Sequence, residues 1–267
     1  MSKPIAAISA AELAAVQAVF FDIDDTFSGG GGQHRITAQA YDALWKLSKA
    51  GIKVVPVTGR PAGWCDMITR MWPVTAVVGE NGAFYSYLDH AKKPAKLVKK
   101  YLETPRVRAS NALKLRKLHT AVLKAFPGAK TPSDQHYREF DLAIDYCEEV
   151  ARWPDARVQK LMQFCEARGA IAKLSSIHVN TWFGRYDKLT CVRRILSQLF
   201  QIDFQNVVYI GDSPNDEPFF ERLPFSVGVA NVRGFLGKMK YAPAYITEAE
   251  AGFGFAEFAE RLLRSRT

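Results

Sequence analysis

The stretch that decides the fold is Phe20-Phe21-Asp22-Ile23-Asp24-Asp25-Thr26, in which a hydrophobic segment ends abruptly in acidic residues. Residues 16–21 are apolar with one polar interruption, which predicts a buried strand. The glycines at 29–32 follow closely and predict a turn. Carboxylates at the C-terminal end of a parallel strand lie where open α/β sheets bind ligands. The segment therefore predicts a ligand-binding sheet edge, and the alternative is a helix N-cap or a solvated strand end.

Asp22 and Asp24 are two positions apart, so on an ideal strand they share one face. Two crowded carboxylates repel each other, and a divalent cation relieves that repulsion. One aspartate of such a pair is able to act as a nucleophile and the other as a proton carrier. We therefore expect this pair to carry the chemistry.

Helical patterns separate four strand-like runs along the chain. The predicted strands are residues 16–21, 52–57, 74–78 and 207–210. The predicted helices are residues 38–50, 61–71 and 187–200. Such alternation is typical of a parallel sheet covered by helices. The predicted fold class is therefore α/β, with a Rossmann-like parallel sheet as the core.

Residues 83–182 interrupt this alternation, because they are richer in Lys and Arg and mix helical with strand-like stretches. The predicted helices here are 110–126 and 155–168, and the predicted strands are 139–146 and 176–182. We therefore predict a core formed by residues 1–82 and 183–267, with residues 83–182 inserted as a second, α+β domain.

Polar residues also follow two later strands. Thr58-Gly59-Arg60-Pro61 offers a hydroxyl and a permissive glycine to an anion, although a plain capped turn has the same composition. Gly211-Asp212-Ser213-Pro214-Asn215-Asp216 offers oxygens that suit Mg²⁺, and the alternative is an Asp/Asn/Pro turn. Lys188 opens the helix before the last strand, where it either neutralises a phosphoryl group or lies at the surface.

In this order, the four segments resemble the motifs of the haloacid dehalogenase superfamily of phosphohydrolases. Residues 22–26 are similar to its first motif, D-x-D-x-T, and Thr58, Lys188 and residues 211–216 are similar to the second, third and fourth. The insert resembles a C2-type cap, entered at Gly79-Glu80-Asn81-Gly82-Ala83. Within that superfamily, the sequence resembles the type IIB branch, which includes the sucrose-phosphatase and Cof-like proteins.

The resemblance implies a Mg²⁺-dependent phosphoric monoester hydrolase for a small phosphorylated metabolite, in this branch a sugar phosphate. It implies Asp22 as nucleophile and Asp24 as acid and base. The implied Mg²⁺ ligands are the Asp22 carboxylate, the Asp24 carbonyl and Asp212, supported by Asp216. The implied phosphate-binding residues are Thr58, Gly59, Lys188 and Asn215. The alternatives are a phosphomutase of the same superfamily and a non-catalytic protein that binds phosphate or nucleic acid.

The expected substrate-recognition residues lie in the insert and beside the motifs. They are Arg60, Asn81, His178, Asn180 and Arg185. His178 and Asn180 alternate on a predicted strand and share a face, which meets either the substrate or solvent. Trp45 and Trp64 lie on predicted helices and are interpreted as core residues.

The composition of the 267 residues, 48% hydrophobic and 24% charged, is typical of a soluble globular protein. No apolar run approaches the roughly 20 residues of a membrane span, and no membrane partner is expected. The four cysteines lack metal-type spacing, which indicates reduced thiols and a cytoplasmic location. The net charge of +9 includes basic clusters at 92–100 and 106–117, but they lack the interleaved aromatics of RNA-binding segments. Nucleic acid is therefore not expected as a partner, and neither a monomer nor a homodimer is favoured.

Overall fold

The computed structural model of the protein describes residues 2–29, 35–175 and 177–266. The strands in that part of the chain are β1 (Lys3–Pro4), β2 (Ala18–Phe21), β3 (Lys53–Pro56), β4 (Val77–Gly79), β5 (Phe84–Asp89), β6 (Lys96–Tyr101), β7 (Asp141–Asp145), β8 (Ile171–Leu174), β9 (His178–Trp182), β10 (Val207–Gly211), β11 (Ser226–Gly228) and β12 (Tyr245–Ile246). The α-helices are α1 (Ala10–Ala14), α2 (Ala38–Lys49), α3 (Ala62–Met71), α4 (Pro105–Ala125), α5 (Asp155–Glu166), α6 (Lys188–Ile195), α7 (Glu217–Arg222) and α8 (Ala251–Arg264). The predicted turn at 30–32 and the first residue of the predicted strand 176–182 lie outside the described residues.

Six parallel strands form the central sheet in the order β1-β12-β11-β10-β2-β3. Phe21 at the end of β2 is in register with Ile210 of β10 on one side and Pro56 of β3 on the other. The carboxyl ends of these three strands therefore meet at one edge of the sheet. This architecture confirms the predicted α/β class with a parallel, helix-covered core.

Successive side chains of β2 pack on opposite faces of the sheet, as strand geometry requires. Phe21 joins a hydrophobic cluster with Leu44 of α2 and Phe255 of α8. Phe20 joins a different cluster with Cys191 of α6 and Phe219 of α7. Both faces of β2 are thus buried, which explains why its sequence is continuously apolar rather than alternating.

The predicted helices and strands of the core and insert have counterparts within a few residues, with two instructive differences. The predicted helix 61–71 begins at Ala62, because Pro61 takes an extended conformation as its N-cap. The predicted helix 187–200 is α6 followed by a π-helical turn over Leu196–Phe200.

The interpretation of Trp45 and Trp64 as core residues is wrong, because their exposed fractions are 44% and 38%.

The inserted region contains strands of two antiparallel sheets, which are β4-β5-β6 and β7-β9-β8. The second sheet buries its own hydrophobic cluster against α4 and α5, with Ile144, Leu118 and Leu161 among its members. By contrast, Tyr85 of β5 packs in a cluster of the core. The division into 1–82, 83–182 and 183–267 remains a prediction, and we propose that the separately packed cap begins near α4.

The basic clusters and the cysteines can each be assigned a place in the fold. The first basic cluster lies on β6 and the turn before it, and the second lies on α4. All four cysteines are free, and Cys65, Cys165 and Cys191 are buried. Among the described residues, no helix combines the length and the apolar character that crossing a membrane would require.

Candidate active site

Residues from the core and the insert surround one narrow cavity, of about 20 Å³, at the carboxyl edge of the central sheet. Its lining residues are Asp22, Asp24, Gly59, Arg60, Arg138, Ser175, Ile177, His178, Asn180, Lys188, Asp212, Ser213 and Asn215. The backbone N–H of Asp22 donates to the carbonyl of Ile210 over 2.9 Å, so the β2–β10 pairing extends to the first aspartate. The sheet therefore fixes the backbone from which the candidate nucleophile projects.

A buried lysine faces that nucleophile. Lys188 Nζ lies 2.6 Å from Asp22 Oδ1 and 3.5 Å from Asp216 Oδ1. Lys188 is the first residue of α6, and the helix begins there because the Asp187 carboxylate accepts the backbone N–H of Thr190 over 2.6 Å. Of the two alternatives for Lys188, the structure therefore excludes a surface position.

The carboxylate of Asp216 organises the loop after β10. Its Oδ1 accepts the Tyr209 hydroxyl over 2.5 Å, and its Oδ2 accepts the backbone N–H groups of Asp212 and Ser213 over 3.0 and 3.3 Å. Asp212 Oδ1 in turn accepts the Thr26 hydroxyl over 2.9 Å. Asp212 is thus oriented by one residue of the first motif, Thr26, and one of the fourth, Asp216. The oxygens of Asp216 themselves are occupied by protein donors.

Burial and mutual repulsion raise the pKa values of Asp22 and Asp212. Burial raises the pKa of Asp22 to about 7, and the charges of Asp216 and Asp24 add to this effect while Lys188 opposes it. Burial, followed by the charges of Asp216 and Asp22, also raises the pKa of Asp212 well above its ordinary value. Burial alone would lower the pKa of Lys188, but the neighbouring carboxylates more than offset it and the pKa is raised.

The donor set fits a hard divalent cation. Asp22, Asp212 and Asp216 are all buried, and Lys188 supplies one positive charge for the three carboxylates. Mg²⁺ usually takes one or two protein carboxylates and keeps several waters. Among the described residues, no group of three or more His, Cys, Asp or Glu side chains is arranged to hold a metal ion. The set Asp22, Asp212 and the Asp24 carbonyl remains the predicted shell, with Asp216 supporting Asp212.

Asp24 is held by an arginine. Arg60 Nε lies 3.0 Å, and Arg60 Nη2 2.8 Å, from Asp24 Oδ1. The same guanidinium lies 3.2 Å from Glu148 and 3.6 Å from Asp134, both on the insert, and packs 4.6 Å from the ring centroid of Trp64. Burial opposes the charge on Arg60, but the carboxylates, Asp24 first, raise its pKa.

The predicted phosphate-binding residues differ in their exposure to the cavity. Gly59 and Asn215 line it together with Lys188. The Thr58 hydroxyl is buried beneath the loop and accepts the backbone N–H of Arg60 over 2.9 Å. In the structure as it stands, Thr58 therefore shapes the loop, while its contact with phosphate remains a prediction.

The candidate recognition residues separate into two groups. His178 and Asn180 are buried and line the cavity, so of the two alternatives for their strand face, the solvent face is wrong. Asn81 is also buried, and Oδ1 of both asparagines has no hydrogen-bond partner in the described structure. Arg185 is exposed and does not line the cavity, and its backbone N–H donates to Glu103 over 3.0 Å.

Three residues of the insert near the cavity carried no signal in the sequence. Arg138 donates to the carbonyl of Gly59 over 2.9 Å and to Asp141 Oδ1 over 2.8 Å, which joins the insert to the second motif. Glu148 reaches Arg60, and Ser175 lines the cavity. No motif marks them, since their partners are distant along the chain and a charged residue before a strand or in a loop is ordinary.

Comparison with known proteins agrees with this fold. Residues 19–125 match the haloacid dehalogenase-like hydrolase family. The chain is 24% identical over 250 residues to phosphoglycolate phosphatase 1 of Saccharolobus solfataricus, covering 93% of this chain and 96% of that protein. It is 26% identical over 249 residues to a phosphoglycolate phosphatase of Methanothermobacter thermautotrophicus, covering 93% and 99%. The solved sucrose-phosphatase of Synechocystis sp. PCC6803 superposes with a TM-score of 0.65 at 14% identity, covering 92% and 98%.

These matches confirm the resemblance that the four motifs indicated. Residues 19–125 carry the family match, and the superposition shows that the chain shares the fold of a sucrose-phosphatase. The phosphatase class is the one that this match and the two named relatives support.

Proposed function

We propose that the protein is a Mg²⁺-dependent phosphatase that hydrolyses a small sugar phosphate through an aspartyl-phosphate on Asp22. The observation that carries the proposal is the buried ion pair between Lys188 and Asp22 at the end of a central strand. A lysine in that position is able to neutralise both the attacking carboxylate and the incoming phosphoryl group. Phosphoryl transfer depends mainly on such positioning and charge stabilisation.

In the first step, an Asp22 carboxylate oxygen attacks phosphorus and the bond from phosphorus to the ester oxygen breaks. Asp24 donates a proton to the leaving oxygen. In the second step, a water oxygen attacks the phosphorus of the aspartyl-phosphate, Asp24 takes the water proton, and the bond to Asp22 breaks to release phosphate. Both steps need Asp24 on the leaving-group side, and its contact with Arg60 places it beside the insert.

Asp22, Asp212 and the Asp24 carbonyl would hold Mg²⁺, which when bound shields the negative charge of the phosphoryl group and of the carboxylates. Lys188 contacts Oδ1 of the Asp22 carboxylate over 2.6 Å and would bind a phosphoryl oxygen beside it. Asn215 and the Gly59 backbone would orient the remaining phosphoryl oxygens. Gly59 suits close approach, because a Cβ there would lie 3.1 Å from Asn81 Oδ1 and 3.2 Å from Asn180 Nδ2.

An unpaired polar atom in the cavity wall supports a hydroxyl-bearing substrate. The free Oδ1 of Asn180, which lines the cavity, is a hydrogen-bond acceptor; the free Oδ1 of Asn81 lies near Gly59, outside the lining. Arg60 and Arg138, which would attract a substrate carboxylate, already have acidic partners in Asp24 and Asp141. Sugar hydroxyls satisfy such acceptors better than a carboxylate does, so we favour a sugar phosphate over phosphoglycolate, the substrate in the names of the two relatives.

Phosphate release from a panel of esters tests the proposal. The panel contains triose, pentose and hexose phosphates, phosphoglycolate and 4-nitrophenyl phosphate, each assayed with Mg²⁺ and with a chelator. We expect chelator-sensitive release, fastest with a sugar phosphate. Preferred hydrolysis of phosphoglycolate would contradict the substrate assignment, and Mg²⁺-independent release would contradict the metal. Recovery of a second sugar phosphate instead of free phosphate would indicate the mutase.

A further inference from the structure

Four side chains form a continuous series of contacts that joins the acid–base carboxylate to the insert. The chain of contacts runs from Asp24 to Arg60, then to Glu148, and ends at His178. Arg60 Nη2 lies 2.8 Å from Asp24 Oδ1 and 3.2 Å from Glu148 Oε1. Glu148 Oε2 lies 2.8 Å from His178 Nε2. One guanidinium thus joins a catalytic group of the core to an acid that the insert carries.

The position of Glu148 is itself fixed by the fold of the insert. Asp145 is buried at the end of β7, and its carboxylate accepts the backbone N–H groups of Cys147 and Glu148 over 2.9 and 2.8 Å. Asp145 is also in register with His178 on the neighbouring strand β9. Strand pairing within the insert therefore brings Glu148 and His178 together.

Arg60 is restrained on its remaining sides. Asp134 of the insert lies 3.6 Å from Nη1, and the Trp64 ring covers one face of the guanidinium. A planar guanidinium with several fixed partners has little freedom to rotate. It therefore also restrains the carboxylate with which it forms a bidentate ion pair. The side chain of Arg60 is 8% exposed, so water competes weakly for these contacts.

We propose that Glu148, supported by His178, is a positioning residue that acts through Arg60: docking of the insert onto the core aligns the Asp24 carboxylate for proton transfer. The inference rests on the proposed phosphatase mechanism and adds one requirement to it, namely that the insert be docked when Asp24 transfers its proton. Asp24 is held in its productive orientation only when Glu148 is docked. Proton transfer to the leaving group is then coupled to closure of the cavity.

This role is distinct from holding the two domains together. The main connection runs elsewhere, through the buried carboxylate of Glu80 and through Arg138. Glu80 accepts backbone N–H groups from Ala62 of the core and from three consecutive residues of the insert, 139–141. Removing the charge of Glu148 should therefore leave the insert attached but loosen Asp24.

The test compares Glu148→Gln with the matched control Glu149→Gln. The control residue lies in the same loop, and its carboxylate accepts the backbone N–H and hydroxyl of Ser133 instead of reaching Arg60. The readout is kcat/KM for the best sugar phosphate and for 4-nitrophenyl phosphate, since this ratio reports the steps up to the aspartyl-phosphate. An alkoxide leaving group needs a proton from Asp24 far more than 4-nitrophenolate does.

General acid catalysis contributes about 10²- to 10⁴-fold, so a loosened acid should cost about 10-fold in kcat/KM for the sugar phosphate and less than about 3-fold for the aryl ester. Arg60→Lys should lower activity by itself, and adding Glu148→Gln to it should have little further effect, because both changes break one chain of contacts. Glu149→Gln should match the wild type with both esters.

Equal losses with both esters, no loss with either, or full additivity with Arg60→Lys would overturn the positioning role. These results are separable from a failure of the proposed function. If the wild type releases phosphate from neither ester, the phosphatase mechanism fails and the inference fails with it.

Discussion

Lys188 Nζ lies 2.6 Å from Asp22 Oδ1, although the two residues are 166 positions apart in the sequence. The pair forms because β2 ends at Phe21 and α6 begins at Lys188 on the same edge of the sheet. A buried lysine beside a buried carboxylate is poised to receive a further anion, and the mechanism proposed above depends on that placement.

Replacement of the nucleophile should abolish turnover while sparing the fold. Asp22→Asn is nearly isosteric, but an amide cannot form the acyl-phosphate, so we expect phosphate release to fall roughly 10⁴-fold or more. Phosphate release and thermal unfolding should be measured on the same preparation, with the exposed Asp42→Asn as a control. Substantial activity in Asp22→Asn would remove Asp22 from the nucleophile's role.

Loss of a predicted metal ligand should change the response to Mg²⁺. Asp212→Ala removes a carboxylate that Thr26 orients, so half-maximal activity should require at least about 10-fold more Mg²⁺. The measurement is a Mg²⁺ titration of phosphate release for the wild type and the variant. An unchanged titration curve would exclude Asp212 from the metal shell.

The junction between core and insert should depend on the Glu80 carboxylate. Glu80 is fully buried and accepts four backbone N–H groups over 2.6–3.0 Å. In Glu80→Gln, an amide NH₂ would face some of these donors, so the free energy of unfolding should fall by about 2–4 kcal/mol. Urea unfolding measures this loss. The control is Glu103→Gln, which affects a single exposed hydrogen bond, from the backbone N–H of Arg185. A loss below about 1 kcal/mol would show that the four N–H groups find other partners.

The ion pair of Glu148 should stabilise the protein in a defined pH range. The 2.8 Å contact with His178 and the charge of Arg60 outweigh burial and lower the pKa of Glu148 from 4.5 to about 2. A lowered pKa in the folded state stabilises the protein above pH 4.5, and this contribution is lost as the pH falls toward 2. The difference in unfolding free energy between wild type and Glu148→Gln should therefore be smaller at pH 3 than at pH 5. A difference that grows between pH 5 and pH 3 would contradict the assigned pairing.

The sequence was sufficient to predict the elements and motif residues whose signal is local. A buried parallel strand is apolar along its whole length, and the change to Asp at positions 22 and 212 marks where it reaches the ligand-binding edge. The same argument places Gly59 and Arg60 at the cavity. Because parallel strands align their carboxyl ends, local patterns were enough to predict which segments meet.

Contacts that depend on the packing of the insert could not be predicted in this way. Arg60 and Glu148 are 88 positions apart, and neither the loop nor the charge at 148 distinguishes it from neighbouring acids. The alternation of His178 and Asn180 predicted a shared face but not that the face is buried. Trp64 was misinterpreted because a large ring on a helix usually packs in the core, whereas here it lies against a guanidinium.

Direct detection of the phosphorylated intermediate tests the central claim most closely. Asp24→Asn should slow hydrolysis of the intermediate, so the variant should be incubated with 4-nitrophenyl phosphate and Mg²⁺, quenched in acid, digested and analysed by mass spectrometry. We predict a phosphoryl group on the peptide that contains Asp22, and its absence when Asp22→Asn is added. A phosphoryl group on any other residue, or turnover by the wild type with no phosphorylated Asp22 in any quenched sample, would contradict the account.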